Sequence, residues 1–363
     1  MKVTVSKDAL SSILRKVLSA VNVKTPIPVL NNIMLEAEDG SLTLAATDLE
    51  VFVKSSVEAT VAQPGRTTLP AKKFAQIISA LPDGNIELET NDRQQTSIAC
   101  KKAHFKMMGM DAKEFPREEV QEGGWLLSMK ADEFRRILSK VAYAASTDET
   151  RHVLNGILVS VRSGVMTTVG TDGRRLALIE KTLSGEVPGD CDAILPQKVV
   201  GELVKVLDSQ EQVSIQLSES RAAFVLGRTL ITSKLVEGSY PNYRQVVPGT
   251  FNHSAVIPRE TFSTVIGRVA MVITDTSAAV ALKLEKAQMT ISASSAEVGE
   301  GNEAFEISFD GDPLDISFNP HFLLEPLKTL EADQVVLQFN DQYSPVAISG
   351  DEGFLYVIMP MRS

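Results

Sequence analysis

An amphipathic helix is written three times in this chain, and a threefold internal repeat limits the fold more than any other feature of the sequence. In residues 128–145, SMKADEFRRILSKVAYAA, the apolar residues Phe134, Ile137, Leu138, Val141 and Ala145 recur at +3, +4, +7 and +11, one stripe of a 3.6-residue helix. Leu10, Ile13, Leu14, Val17 and Val21 repeat the stripe, as do Phe262, Val265, Ile266, Val269 and Ile273. A generic amphipathic pattern accounts for the stripe alone. It gives no reason for a basic residue at +6 in every copy, Lys16, Lys140 and Arg268, about 240° from the first apolar position. In the middle copy Ser128 is the expected N-cap, Asp132 and Glu133 suit the positive helix end, and Arg136 and Lys140 are expected on the polar face.

A second helix follows in each repeat, with Phe74, Ile77, Ile78 and Leu81 at +3, +4 and +7, then Val200, Leu203, Val204 and Leu207, then Leu323, Pro326, Leu327 and Leu330. Pro70, Pro196 and Asn319 stand four residues earlier and suit a helix start. Pro326 removes an internal hydrogen bond, so a kink or a later start is expected in the third copy. Around the helices the chain reads as short alternating strands: Ile33 to Ala37 and Leu42 to Ala46 about Asp39-Gly40, Ile157 to Val161 and Met166 to Gly170 about Ser163-Gly164, and Val280 to Leu284 with Met289 to Ala293. Strands at Ile86 to Glu89, Val213 to Leu217 and Val335 to Phe339 follow the second helices. With turn-rich linkers at 114–124 and 247–258, the chain divides into 1–120, 125–247 and 251–363. Each domain is of α+β class: helix, strands, helix, strands, the helices packed on one face of antiparallel sheets.

The net charge of −10 argues against nucleic acid only if it is evenly spread. It is not. The six helical segments 7–21, 71–81, 130–145, 197–207, 258–273 and 319–330 together carry +8, which leaves −18 for the rest. Helix faces with repeated cations, without a recognition helix or aromatic nucleic-acid strand, suit phosphate contact that ignores sequence. Such binding is weak, on the order of 10⁻⁴ to 10⁻⁶ M, and serves a protein held on its partner by topology. Head-to-tail repeats close a ring when the rotation per domain divides the circle, as three domains or as six in a dimer.

Several stretches carry a family resemblance: TDLE at 47–50, LPAKKF at 69–74, LNGIL at 154–158, TDGRRLAL at 171–178, SKLVEGSYPNYRQVVP at 233–248 and YVIMPMRS at 356–363. They resemble, in order and over the whole chain, the bacterial DNA polymerase III beta subunit family, the sliding clamps. The resemblance implies three DNA-clamp domains per chain and a homodimeric ring around double-stranded DNA, helices lining the hole and sheets outside. It also implies a processivity factor that is not an enzyme and uses no cofactor; no apolar run approaches membrane length and no apolar h-region follows the first lysine, so no membrane and a cytoplasmic location are expected. Its implied partners are the DNA polymerase III alpha subunit, the clamp loader delta subunit, and translesion polymerases, mismatch repair proteins and ligase bearing clamp-binding motifs.

By the same resemblance, DNA contacts fall on Lys24, Lys72, Lys73 and Arg151, which His152 and Val153 follow where relatives carry aromatics. Periodicity adds Arg15, Lys16, Arg136, Lys140, Lys198 and Arg268. The implied protein-binding pocket comprises Leu154, Thr171, Gly173, Arg175, Leu176, Pro241, Val246, Asn319, Phe322, Val346, Val357, Met359, Pro360, Met361 and Arg362. Independently of the family, Met359-Pro360-Met361 offers adaptable side chains on an extended end, and Arg175 or Arg362 suits a peptide carbonyl. Arg174, Gln245 and Ser363 depart from the family pattern and bear on peptide preference. The implied subunit interface joins Phe105 and Met107 to Met271 and Val272, with Lys102 and His104 facing Glu297, Glu300 and Glu303.

Other chemistry finds little footing. Asp48 and Asp172 begin 37 residues after equivalent stripe positions when counted from their preceding threonines, which marks them as turn residues rather than a catalytic pair. His104, His152, His253 and His321 lack ligand spacing, Cys100 and Cys191 lack a CxxC, and GEGNE at 299–303 lacks the lysine of a phosphate loop.

Overall fold

The computed structural model describes residues 1–21, 25–117, 124–184, 189–207, 212–274 and 279–361. Six α-helices occur among them: α1 (Lys7–Val17), α2 (Ala71–Ala80), α3 (Ala131–Ala142), α4 (Gln197–Val206), α5 (Arg259–Val269) and α6 (Pro320–Thr329). The stripes face inward as the periodicity requires. Leu10, Phe134 and Phe262 are at most 1% exposed, and Phe74, Val200 and Leu323 are fully buried. Val21, Ala145 and Ile273 lie beyond their helices, after a short 3₁₀ turn in the first and third copies.

The Ser6 side chain caps α1, accepting from the Ala9 amide at 3.3 Å. Ser128 does not cap α3. Trp125, Leu127 and Met129 alternate inward along a strand that runs to Lys130 and leads straight into the helix, so Ser128 stays in the sheet, 3.1 Å from Ser214 Oγ. The third second-helix does not start later on account of Pro326: it begins at Pro320, with Asn319 Oδ1 accepting from the His321 amide at 2.9 Å, and it includes Pro326.

The chain forms two compact units: Met1–Arg135 with Lys198–Leu235 (unit 1), and Arg136–Gln197 with Val236–Ser363 (unit 2). Each contains one eight-stranded antiparallel sheet. In unit 1 the strand order is 125–130, 212–217, 221–226, 229–234, 51–58, 41–47, 32–38, 65–70. In unit 2 it is 253–258, 334–339, 346–349, 354–358, 175–182, 165–171, 156–162, 191–196, the same pattern moved on by one repeat. The units therefore cut across the sequence repeats, because a four-stranded half of one repeat joins a four-stranded half of the next through a single strand pair.

The register of these fusions repeats as well. In unit 1 Val51 lies opposite Ser233, and in unit 2 Arg175 lies opposite Ile358; each member stands at the same place in its repeat. Two smaller sheets are the unfused halves of this pattern. Unit 1 has 60–63, 2–6, 85–90, 95–100, 103–108, and unit 2 has 299–306, 288–295, 280–285, 314–318. Hairpin turns fix the inner registers. Asp39-Gly40 and Ser163-Gly164 take positive φ at both positions, the I′ geometry that matches strand twist.

Candidate protein-binding pocket, basic surface and sheet edges

In unit 2, strand 175–182 pairs with strand 354–358, and this places Leu176 opposite Val357. Both belong to a buried cluster with Leu158, Val169, Leu178, Ile194 and Tyr243, against which Val153, Tyr240 and Val247 pack. Above this floor Val246 is 50% exposed and Met359 44% exposed, with Gly173 and Pro241 open to solvent and Leu154, Phe322, Pro360 and Met361 half-buried. The chain end is held by its backbone: the Met359 amide donates to Arg174 O at 3.0 Å and the Met361 amide to Ser317 O at 2.7 Å. The described pocket residues thus all lie on unit 2, where Val246, Met359 and Pro241 leave apolar surface exposed. Arg362, like Ser363, lies outside the described residues.

Four expected members have other duties. Val346 is fully buried and pairs with Ile358 beneath the surface. Thr171 Oγ1 donates to Arg175 O at 2.6 Å and accepts from the Gly173 amide at 3.1 Å, so it builds the turn. Asn319 caps α6. Arg175 is not available for a peptide carbonyl. Its Nε donates to Asp172 Oδ2 at 3.1 Å, Nη1 pairs with Glu325, Nη2 donates to Tyr143 O at 2.6 Å, and the guanidinium lies 4.2 Å from the centre of the Phe322 ring. Burial opposes its charge, but Tyr356, Glu325 and Asp172 outweigh that and raise its pKa. Its work is to orient Phe322 and the turn. Glu325, Tyr143 and Tyr356 were invisible as parts of this site in the sequence, where they are ordinary helix and strand residues.

The two TD turns are copies of each other. Asp48 Oδ1 accepts from the amides of Glu50 (3.0 Å) and Val51 (2.8 Å), and Asp172 Oδ1 from those of Arg174 (2.8 Å) and Arg175 (3.1 Å). Leu49 and Gly173 follow with φ of 78° and 85°. These are turn acceptors.

The candidate phosphate contacts divide by their partners. Arg15, Lys72 and Lys73 are exposed, and Arg136 is half-exposed with Glu331 at 3.8 Å. Lys24 lies outside the described residues. Arg151 donates to Asp172 O at 3.0 Å while its side chain stays 52% exposed. Lys198 pairs with Asp48, and its pKa is lowered, chiefly by burial. The repeated +6 cation has a partner within its own unit in every copy, buried at Lys140 but at the surface for Arg268, whose side chain is 51% exposed. Lys16 reaches Thr229 Oγ1 at 3.3 Å, Lys140 is 8% exposed and 2.5 Å from Asp351, and Arg268 grips Glu303 through two bonds of 2.9 and 2.5 Å. Lys140 in particular cannot be a surface charge. The turn after strand 346–349 delivers Asp351 to the polar face of α3, where it also accepts from the Glu331 and Ala332 amides.

The expected interface residues lie on two sheet edges. Strand 103–108 ends the five-stranded sheet of unit 1, and strand 299–306 ends the four-stranded sheet of unit 2. Phe105 is 41% exposed, and Lys102 and His104 are exposed. Met107 instead turns inward at 9%, and Met108 is the open methionine at 60%. In unit 2 Met271 is 77% exposed, Val272 is half-buried, and Glu297 and Glu300 are exposed, while Glu303 is engaged by Arg268.

Comparison with known proteins gives a consistent picture. Profiles of the DNA polymerase III beta subunit's N-terminal, central and C-terminal domains match residues 1–119, 128–242 and 244–362. The Beta sliding clamp of Chlamydia muridarum is 32% identical over 362 residues, covering 100% of this chain and 99% of its own. That of Caulobacter vibrioides is 32% identical over 371 residues and 100% of both. Among solved structures, the DNA polymerase III subunit beta of Pseudomonas aeruginosa superposes with a TM-score of 0.94 at 30% identity over 100% of both chains. The Bartonella birtlesii sliding clamp bound to griselimycin gives 0.95 at 32%, again over 100% of both.

Proposed function

This chain belongs to the DNA polymerase III beta subunit family, the sliding clamps, and on that premise we propose that two copies close into a ring that encircles duplex DNA. The family is non-catalytic. The proposed ring slides without sequence specificity in the cytoplasm and tethers the DNA polymerase III alpha subunit, the clamp loader delta subunit and other motif-bearing proteins through the unit 2 pocket.

The carrying observation is the pair of unused sheet edges. At both fusions the third strand of a repeat's second sheet half pairs with the third strand of the preceding repeat's first half: 229–234 with 51–58, and 354–358 with 175–182. Counting through the hairpins, the strands of the same rank that lack such a neighbour are 103–108 and 299–306. Their union within one chain is a different matter from their union between two, and a second copy provides both missing junctions at once with twofold symmetry. Carrying the repeated register over places Met107 opposite Gly299, Lys106 opposite Glu300, Phe105 opposite Gly301 and His104 opposite Asn302. The register brings a cation to an anion at Lys106, a residue the sequence had not singled out. It also explains the exposure of Phe105, whose equivalent Ile231 is 2% exposed where its strand is paired.

On this reading the sequence divisions 1–120, 125–247 and 251–363 are the six ring segments of the dimer. Arg15, Lys72, Lys73, Arg136, Arg151 and Lys24 supply phosphate contacts, buried Lys140 holds the scaffold through Asp351, and Lys16, Lys198 and Arg268 sit at the surface against Thr229, Asp48 and Glu303. The test is retention on DNA. Protein assembled on nicked circular DNA is expected to stay through gel filtration and to leave once the DNA is linearised; equal loss from both forms would sink the ring.

A further inference from the structure

Unit 1 contains a groove of about 800 Å³ at the place where, one repeat later, unit 2 carries its pocket. The correspondence follows from the shared registers. Phe52 stands where Leu176 does, each next to the strand of the following repeat, and Met34 and Ala45 stand where Leu158 and Val169 do. Met110 bridges to Thr68 as Val236 does to Ile194. Phe115, 4% exposed, anchors a cluster with Val29, Leu30, Ala45 and Phe52, as Tyr243 anchors the cluster of unit 2.

The framework is retained and the chemistry is changed. Lys54 occupies the position of Leu178, Arg66 that of Asp192, and Thr232 that of Val357. The apolar floor of Met34, Phe52, Phe115 and Pro116 is thus bordered by Lys54, Arg66, Lys113 and Arg117. Among the described lining residues Asp111 is the single acid, and it already accepts from the Lys113 amide at 2.9 Å. Glu36 pairs with Arg66 at 2.5 Å and offsets one cation. In a chain of net charge −10 this is a local basic site over an apolar base.

We propose that this groove binds a short acidic peptide, one that seats an apolar side chain on Phe52 and Phe115 and sets flanking carboxylates against the exposed Lys113 and Arg117. The apolar floor selects for a side chain rather than a bare anion, and the charge of the rim selects for Asp and Glu around it. The choice of a peptide as occupant rests on the reading of the unit 2 pocket as a peptide site; the basic, apolar character of the groove stands without it. The second groove would let one ring hold an acidic segment beside the surface that takes apolar motifs.

The experiment uses the full chain labelled with ¹³C at its methionine methyls, assigned by single Met→Leu substitutions. The probe is a heptapeptide with a central Leu-Phe pair flanked on both sides by glutamates. It is expected to shift the Met34 and Met110 methyls saturably, and the same peptide with lysines for glutamates is not. Lys113→Glu with Arg117→Glu, both on exposed side chains, is expected to weaken the response about tenfold, the scale of two rim charges reversed. Shifts confined to Met359 and Met361 would place the peptide in the unit 2 pocket and overturn the second site while leaving the pocket reading intact. Silence of all methyls, or stronger shifts of Met34 and Met110 by a single-stranded oligonucleotide than by the acidic peptide, would also overturn it. Failure of the unit 2 reading itself shows elsewhere, in unchanged polymerase-peptide binding after removal of the chain end.

Discussion

The Tyr356 hydroxyl donates a hydrogen bond of 2.8 Å to the Phe322 carbonyl oxygen, the acceptor that Pro326 leaves without its helical donor. A proline in the middle of a helix removes one N–H and so orphans the carbonyl four residues earlier. Here a fully buried tyrosine from strand 354–358 supplies the missing donor, and α6 continues without interruption. The same bond fixes Phe322 beside Arg175 at the pocket wall.

Removing that donor should cost the folded state. Tyr356→Phe is expected to destabilise unit 2 by about 1–2 kcal/mol, the scale of a partly buried carbonyl left unpaired. Pro326→Ala restores a helical N–H for Phe322 O, so in that background the Tyr356→Phe cost should shrink. A double-mutant cycle by chemical denaturation measures the coupling, and additive effects would show that the bond does not serve this purpose.

Lys140 should behave as a structural residue. Its side chain and that of Asp351 are 10% and 12% exposed, so Lys140→Met leaves a largely buried carboxylate with only amide partners and is expected to cost about 2–4 kcal/mol. Burial opposes the Asp351 charge, but the bonds from Lys140, Glu331 and Ala332 outweigh it and lower its pKa below the ordinary 3.8. A carboxylate lowered on folding stabilises fully above its unfolded value. That contribution is lost as the pH falls from about 3.8 through the lower folded value. Thermal melts from pH 7 to pH 2.5 should therefore show an acid-limb loss in the wild type that is smaller in Asp351→Asn.

Lys72 and Lys73 should behave in the opposite way. Lys72→Glu with Lys73→Glu is expected to leave the melting temperature within a degree or two, as exposed charges usually do. It should weaken DNA association and lower the slope of log K against log salt by roughly one per lost phosphate contact. Filter binding across a salt series reads both, and an unchanged slope would remove the pair from the DNA surface.

The carried-over register makes Lys106 and Glu300 opposite partners. Lys106→Glu and Glu300→Lys should each weaken dimerisation, by about 0.5–1 kcal/mol for an edge-strand charge pair, and the double exchange should recover most of it. Sedimentation velocity at a series of concentrations gives the four dissociation constants, of the wild type, the two single variants and the double. A double variant as weak as the sum of the singles would show that the residues do not face each other.

Deleting Met359 to Ser363 removes two backbone anchors, from Met359 to Arg174 and from Met361 to Ser317, together with the exposed Met359 side chain. Peptides from the polymerase are expected to lose binding while the dimer, whose edges lie elsewhere, persists. Fluorescence anisotropy with sedimentation on the same sample separates the two effects.

Helices and hairpins were legible in the sequence because their causes are local. The stripe of Phe134, Ile137, Leu138 and Val141 requires one buried helix face, and Asp39-Gly40 and Ser163-Gly164 require hairpins. Met107 and Met108 mark where locality fails. Both read as apolar residues at an edge, and only the pleat of strand 103–108 decides that the first is buried and the second exposed. Arg175 is the same case at the pocket: the second arginine of TDGRRLAL looks available until Glu325 and Tyr143 are brought to it.

The sequence by itself determined the threefold repeat, the six helices, the hairpins and the family to which the chain belongs. What tertiary structure alone decided was which repeated cations remain at the surface and which sheet edges remain unpaired. The +6 charge of each first helix obeys a period that any reader of the chain can count. Its fate depends on a partner that arrives from elsewhere, Asp351 standing 211 residues from Lys140. Periodicity sets the direction in which a side chain leaves its helix. Only the packing of distant strands sets what it meets there.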